Sequence, residues 1–439
     1  MGTTKKAAIG FIFVTLLIDV MGFGLIIPVL PGLISQLKGI SINQASTYGA
    51  ILLSVFAVTQ FLFSPVIGNL SDRFGRRPVL LLSLFGFGID YIILALAPAY
   101  GWLFIGRVIA GVTGASFTTA TAYIADVSTD ETTRAKNFGM IGAAFGLGFV
   151  LGPALGGLLA GWGIRAPFYA AAALCLLNCV YGYFLLPESL SKENRRPFDW
   201  RRANPLGSLR FLTRHPEIGG LAISFFLIYL GAQSVQGNWN YFTMYRFNWN
   251  ARTVGISLAV VGVLVGGVQA GLTRVINPRI GNEKSIYLGL SLYTLGLVLF
   301  AFATQGWMMF LFLIPYCLGG ICGPSLQSVI SGHVPRNQQG ELQGALTSLM
   351  SLTTIFGPLI MNGTFAYFTS NKAPIHFPGM HFLLGAFCIL LSLFIASKVL
   401  GREKKTAPRE PGAEVGMVAG VGPGTAGAAT IEPPGEVLE

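Results

Sequence analysis

Three charged residues sit where charge is costly. Asp19, Asp90 and Arg107 fall inside long apolar runs. An ionised side chain at a bilayer centre costs about 2.5–3.5 kcal/mol on insertion scales, so such residues are rare and informative. At about 1.5 Å per residue, Asp19 lies roughly 18 Å into its run and Asp90 roughly 17 Å, while Arg107 enters from the opposite face, roughly 10 Å down. Across about 30 Å of hydrocarbon the three occupy nearly one layer, close to the midplane. Arg107 can neutralise Asp90 as a structural pair. Asp19 is then the less compensated acid. Carboxyls out of water favour the uncharged form, and one within reach of a cavity can carry a proton or hold a substrate. The expectation is that all three look onto a wet passage between two halves of the molecule.

A second set is polar and uncharged. Gln233, Gln236, Asn238 and Trp239 cluster at the exit of the seventh run, and Gln269, Tyr293, Gln327, Gln343 and Asn362 lie within or beside later ones. Amides among aromatics suit a ligand cavity; they serve equally as hydrogen bonds between helices. A third set follows the second run, from Gly68 through Asp72, Arg73, Gly75 and Arg76 to Arg77. It reads as too short and too charged to continue a helix. Gly68 and Gly75 permit tight turning, an acid here can face a helix N-terminus, and the arginines can bridge to Asp126. In the fifth run Gly148, Gly152 and Gly156 recur every four residues, with Pro153 and Gly157 beside them. That is a smooth face for close helix approach with a bend in it.

The five cysteines fall in apolar runs, where packing is the simplest role. The four histidines show no metal-ligand spacing, and no nucleophile–base constellation occurs among the runs. No cofactor, metal site or enzymatic activity is therefore expected.

The elements that must position these residues are spans. Of 439 residues, 53% are hydrophobic and only 11% charged, against about 25% charged in soluble domains. Apolar runs long enough to cross a bilayer start near Ala7, Ala45, Val79, Gly101, Asn137, Pro167, Ile218, Val254, Ile286, Trp307, Gln343 and Met380. This predicts an all-α polytopic membrane protein with twelve transmembrane helices. The first run, with Asp19 and Pro28 inside it, is too long for a signal peptide. The net charge of +11 does not form a nucleic-acid patch. Lys and Arg crowd the links on the side of the termini, and only Lys38, Arg165, Arg246, Arg252 and Lys372 lie opposite. That bias predicts cytoplasmic termini.

The longest internal link divides the chain into a six-helix bundle over residues 1–186, a cytoplasmic linker over 187–216 and a second bundle over 217–400. In the linker, the stretch from Phe198 to Leu212 is basic and amphipathic and suits the anionic inner leaflet. Residues 401–439, rich in Gly, Ala and Pro, are expected to be disordered. The halves repeat. Arg73-Phe-Gly75 is echoed by Arg279-Ile-Gly281, 206 residues later (73 to 279), and Gly152-Pro153 by Gly357-Pro358, 205 later (152 to 357). Shared spacing six helices apart points to a duplicated unit.

These residues carry a resemblance. Gly68 to Arg77 fits the major facilitator signature G-x-x-x-D-R-x-G-R-R, and Gly148 to Gly157 fits the G-x-x-x-G-P-x-x-G-G motif of drug–proton antiporters. Asp19 to Pro28, SDRFGRRPVLLLSL, Asp90-Tyr91, Gly106-Arg107 and QQGELQG resemble bacterial tetracycline-efflux proteins of the TetA type, over the chain to about Leu400. The resemblance implies the major facilitator fold. It implies coupling roles for Asp19, Asp90 and Arg107, a gate latch of Asp72, Arg73, Arg77 and Asp126, a hinge at Gly152 and Pro153, and a cavity wall at Gln269. The chain departs from the metal–tetracycline exporters at Val265, where they have a histidine, and at Tyr293, where they have an acid.

The implied function is proton-coupled export of small amphipathic molecules by alternating access, in a bacterial inner membrane, by a monomer whose partners are substrate, protons and lipid. Proton-coupled uptake of a nutrient or organic anion, and a non-transporting sensor or scaffold, are the alternatives.

Overall fold

The structure is a computed structural model, and it describes residues 2–114, 116–128, 131–199, 209–335 and 338–406. Among these residues eleven helices are long and apolar enough to cross a membrane. In chain order the helices of the first half are α1 (Gly2–Ile26), α2 (Leu30–Lys38), α3 (Ile42–Phe74), α4 (Arg76–Leu96), α5 (Tyr100–Thr113), α6 (Ser116–Val127), α7 (Glu131–Leu159) and α8 (Ala166–Leu185). After the linker come α9 (Arg210–Arg214), α10 (Pro216–Gln236), α11 (Trp239–Phe247), α12 (Ala251–Gly267), α13 (Thr273–Ile280), α14 (Asn282–Ala301), α15 (Gly306–Leu318), α16 (Cys322–Gly332), α17 (Gln339–Phe368) and α18 (Met380–Thr406).

Several spans are built from two helices. The fourth joins α5 to α6 across a break at Gly114, whose carbonyl accepts from Gln60 Nε2 at 2.9 Å. The tenth joins α15 to α16 through a 3-10 turn at Gly319–Ile321. These breaks lie 205 residues apart (114 to 319), a third landmark of the repeat. The eighth run is helical from Ala251 to Ile280, but a π turn at Val268–Leu272 interrupts it. Its apolar α-helical part is therefore shorter than a full span, which is why eleven helices and not twelve meet the length criterion.

The segment after the second span corrects an expectation. Gly68 to Phe74 continues α3 as helix, and only Gly75 separates it from α4. Charge at a helix end outside hydrocarbon does not oppose helix formation. Gly75 alone supplies the break, at φ 108° and ψ 160°, a backbone that favours glycine.

The termini of α1 and α18 define one side of the molecule, called here the terminal side; α2 and α11 lie on the far side. Contacts between the halves gather on the far side. Gly157 of α7 lies against Ala251 and Arg252, Gly255 of α12 against Pro153, and Gly262 against Val150. Toward the terminal side, an added Cβ at Gly142 and Gly146 of α7, or at Gly266 and Gly267 of α12, would meet no atom within 4 Å. The helix α18 continues to Thr406. The tail beyond it, and most of the amphipathic linker stretch, including Arg201 and Arg202, lie outside the described residues.

Candidate functional site

Asp90 on α4 is fully buried and Arg107 on α5 is 5% exposed. The Arg107 guanidinium donates to Asp90 Oδ2, forming a buried ion pair. At Gly106 a Cβ would stand 2.6 Å from Asp90 Oδ1, so the carboxylate fits only because that residue is glycine. The guanidinium also lies 5.9 Å from the ring centres of Phe56 and Tyr91. Asp90 Oδ1 and Arg107 Nε have no hydrogen-bond partner.

Asp19 on α1 belongs to the same neighbourhood. One turn on, the Tyr91 hydroxyl stands 3.0 Å from where a Gly22 Cβ would be. Asp19 and Asp90 are both close enough to Cys175 and Tyr91 to act on them electrostatically. Ser116 approaches Asp19, but both carboxylate oxygens are buried without a hydrogen bond of ordinary geometry. The three charges thus gather in one neighbourhood: Asp90 and Arg107 are buried inside the first bundle, and Asp19 is half-buried with both carboxylate oxygens enclosed. Small residues cause this: Gly86 packs on Thr113 and Gly88 on Leu176, drawing α4 tightly against its neighbours.

The amides scatter. Asn362, fully buried, donates from Nδ2 to the carbonyls of Ser46 (3.0 Å) and Gly237 (3.1 Å). Asn240 donates to the Ile27 carbonyl at 2.8 Å, Ser54 to the Ile355 carbonyl at 2.6 Å, and Asn43 to the Thr369 carbonyl at 3.3 Å. All of these contacts except Asn362 to Gly237, which lies within the second half, cross between halves on the far side. Gln233 packs on Gly357, Trp239 Nε1 donates to Ser257 at 2.9 Å, and Asn238 is buried with both amide atoms unpartnered. Tyr293 is buried against Tyr316, hydroxyl to hydroxyl at 3.3 Å. Gln327 donates to Gln343 at 2.9 Å. Gln236 is exposed, and Gln269 is exposed within the π turn. Far-side closure and core packing, not one ligand wall, account for most of this set.

The signature after the second span forms a charged cluster on the terminal side. Arg76, not Arg73 or Arg77, pairs with Asp72, and its Nε reaches Asp126 Oδ2 at 3.2 Å. Arg77 donates to the Tyr183 carbonyl at 2.5 Å, and Arg73 lies over the Phe74 ring. Glu188, which sequence reasoning missed, completes the cluster. Its carboxylate accepts from the backbone N–H of Arg76 (2.8 Å) and Arg77 (3.3 Å), an anion at the α4 N-terminus. The readable signal was an acid directly after the sixth span.

A cavity of about 530 Å³ lies between α3, α5, α6 and α17, in the terminal-side half. Both halves of the chain wall it. None of the sequence-selected amides is among the described residues lining it; Gln60, Thr347, Ser351 and Thr354 are. The spacing of hydroxyls along α17 was the signal available for these.

Duplicated bundles, broken inner spans and a cavity shared between halves define a polytopic membrane transporter of small molecules. The model of the Major Facilitator Superfamily matches residues 12–358 and 221–432, and the chain belongs to that family. It is 44% identical over 379 residues to the class C tetracycline resistance protein of Escherichia coli, covering 86% of this chain and 93% of that protein. It is 36% identical over 395 residues to the class B protein of Escherichia coli, covering 90% and 95%. Among solved structures it resembles the human organic anion transporter MFSD10 (TETRAN), at 25% identity and TM-score 0.67, over 89% of this chain and 99% of that one. A bacterial homologue of the human lysosomal transporter Spinster, inward-facing and unoccupied, shares the fold at TM-score 0.72 and 14% identity, over 91% and 98%.

Proposed function

We propose that this protein exports small amphipathic molecules, tetracyclines among them, in exchange for protons. The observation that carries the reading is Asp19. It is a buried carboxyl without a hydrogen-bond partner, in a chain 44% identical to a tetracycline resistance protein. Such a group can take up or release a proton as water reaches it. Asp90 and Arg107 are paired through one contact, so they set the local field while Asp19 exchanges the proton. The bias of Lys and Arg supports a cytoplasmic terminal side in a bacterial inner membrane. The described conformation is then inward-open, with the far-side seam shut. Rocking of residues 1–186 against 217–400 about that seam would expose the cavity alternately, with Pro153 and Gly157 of α7 bearing on Ala251, Arg252 and Gly255 of α12, while Gly152 and Gly156 hold α7 against α1 within the first half.

Uptake of an organic anion is disfavoured because Arg107 is already tied to Asp90. The test is accumulation of tetracycline by inside-out vesicles under an imposed proton gradient. Accumulation that an uncoupler abolishes supports the reading; accumulation indifferent to the gradient refutes it.

A further inference from the structure

Tyr91 is buried, at 2% exposed, and neither the ion pair nor the far-side seam accounts for its hydroxyl. It follows Asp90 on α4, about 100° further round the helix, so Asp90 turns toward Arg107 while the Tyr91 ring crosses to α1. Phe87, one turn back, stacks on the ring at 6.4 Å between centres. The hydroxyl end of the ring lies against Gly22. A Cβ there would stand 3.0 Å from the hydroxyl oxygen, 3.3 Å from Cε2 and 3.4 Å from Cζ. The ring keeps this place because residue 22 has no side chain. Gly22 comes three residues after Asp19, on the same face of α1. The charged and titratable groups around Tyr91 are Asp19 of α1, Asp90 of its own helix, Arg107 of α5 and Cys175 of α8. Among the described residues the Tyr91 hydroxyl makes no hydrogen bond of ordinary geometry, and neither carboxylate oxygen of Asp19 makes one. Two unpartnered polar groups therefore share one face of α1. Two residues on from Gly22, and so on the opposite face, Gly24 packs against Gly152 and Pro153 of α7, and Pro153 bears on Gly255 of the second half.

We propose that Tyr91 is the positioning residue for Asp19, a hydroxyl that joins the Asp19 carboxyl in one conformation of the molecule and parts from it in the one described. A phenol both donates and accepts. It donates to Asp19 when that carboxyl is ionised and accepts from its O–H when it is protonated. No proton leaves Tyr91 in either case; its O–H only turns about the Cζ–O bond. The bond to the ionised form is the stronger, so ionisation of Asp19 draws α1 onto α4 and protonation slackens the join. The described conformation, with the bond unmade, is the slack one. Because α1 is clamped between Tyr91 on one face and Gly152 and Pro153 on the other, a shift of α1 reaches Gly255 across the seam. The inference rests on the export reading for naming Asp19 as the coupling acid.

The experiment reads the hydrogen bond itself, by infrared difference spectra of the purified full chain between acid and alkaline buffer. The carboxyl C=O band lost in Asp19→Asn belongs to Asp19. In Tyr91→Phe that band should move in frequency. Phenylalanine keeps the ring and removes only the hydroxyl, so the melting temperature should hold. Gradient-driven tetracycline accumulation in inside-out vesicles should fall roughly tenfold, given the usual worth of a hydrogen bond to a charged group. Gly22→Ala, whose Cβ must push the hydroxyl aside, should move the same band with the hydroxyl still present. Combined with Tyr91→Phe it should add little, because the two changes remove one contact. An Asp19 band that is missing from wild type, or unmoved in both Tyr91→Phe and Gly22→Ala, overturns the proposal whatever the vesicles do. A band that moves in a protein that never pumps tetracycline would refute export and leave the contact between Tyr91 and Asp19 standing.

Discussion

The two halves share a backbone and differ in charge. Gly75 (φ 108°, ψ 160°) and Gly281 (φ 81°, ψ 160°) make the same turn after the second and eighth spans. Around Gly75, a Cβ would stand 2.7 Å from the Glu188 carboxyl carbon, and Asp72, Arg76 and Asp126 form a paired cluster. Around Gly281 an added Cβ would meet nothing within 4 Å. The cross-helix bonds there join neutral groups, Asn277 to Ser325 at 2.8 Å and Asn282 to Ser328 at 3.2 Å. Deeper in, the first half buries Asp90 and Arg107, whereas the described second half buries only neutral residues and His381. Duplication therefore preserves the helical frame and leaves charge free to diverge. The buried ion pair belongs to the first half; the second supplies neutral walls and closure.

The largest effect expected from that difference is at the buried pair. Arg107→Ala leaves Asp90 unpaired in the core and should cost about 3–5 kcal/mol, read as a collapse in folded yield and melting temperature. Tyr293→Phe, at the buried hydroxyl pair of the second half, should cost about 1 kcal/mol or less. Similar losses from both would erase the contrast.

Next comes the far-side seam. Asn362→Leu removes two bonds across or beside it, worth about 1–3 kcal/mol together. A cysteine at position 46 should become more reactive to far-side reagents in that background, and unchanged reactivity would mean the seam is held elsewhere.

The two turns follow. Gly281→Ala meets only the backbone penalty of about 1–2 kcal/mol, while Gly75→Ala must also displace Glu188. A larger drop in melting temperature at Gly75 is expected, and equal drops would discount the Glu188 contact. The smallest effect is Glu188→Gln, about 0.5–1 kcal/mol from a weakened helix terminus, seen as a small fall in melting temperature that salt reduces in the wild type.

Much of the fold was legible because lipid imposes a simple rule. Twelve apolar runs, the Lys and Arg bias and two landmarks at matching offsets follow from solvation and duplication alone. The π turn at Val268–Leu272 was not legible, since no residue type marks it within an apolar run. The helical continuation through Asp72 and Arg73 was missed because charge was read as ending the helix, when only Gly75 does so. The common depth of Asp19, Asp90 and Arg107 could be counted along the chain. Which side of a helix faces the other half could not, so Asn238, Trp239 and Tyr293 looked like cavity residues and proved to be packed in the interior. Glu188 escaped notice because its short contacts are to backbone N–H groups at the α4 N-terminus, and its side-chain partner Arg195 stands further off at 3.9 Å.

The central claim is that Asp19 exchanges the coupling proton while Asp90 and Arg107 stay paired. Asp19→Asn in inside-out vesicles tests it most directly, with tetracycline accumulation measured under an imposed proton gradient. The variant should fold and melt like wild type, because an amide fills the same volume, and its gradient-driven accumulation should fall to the level seen with an uncoupler. Accumulation equal to wild type would contradict the account.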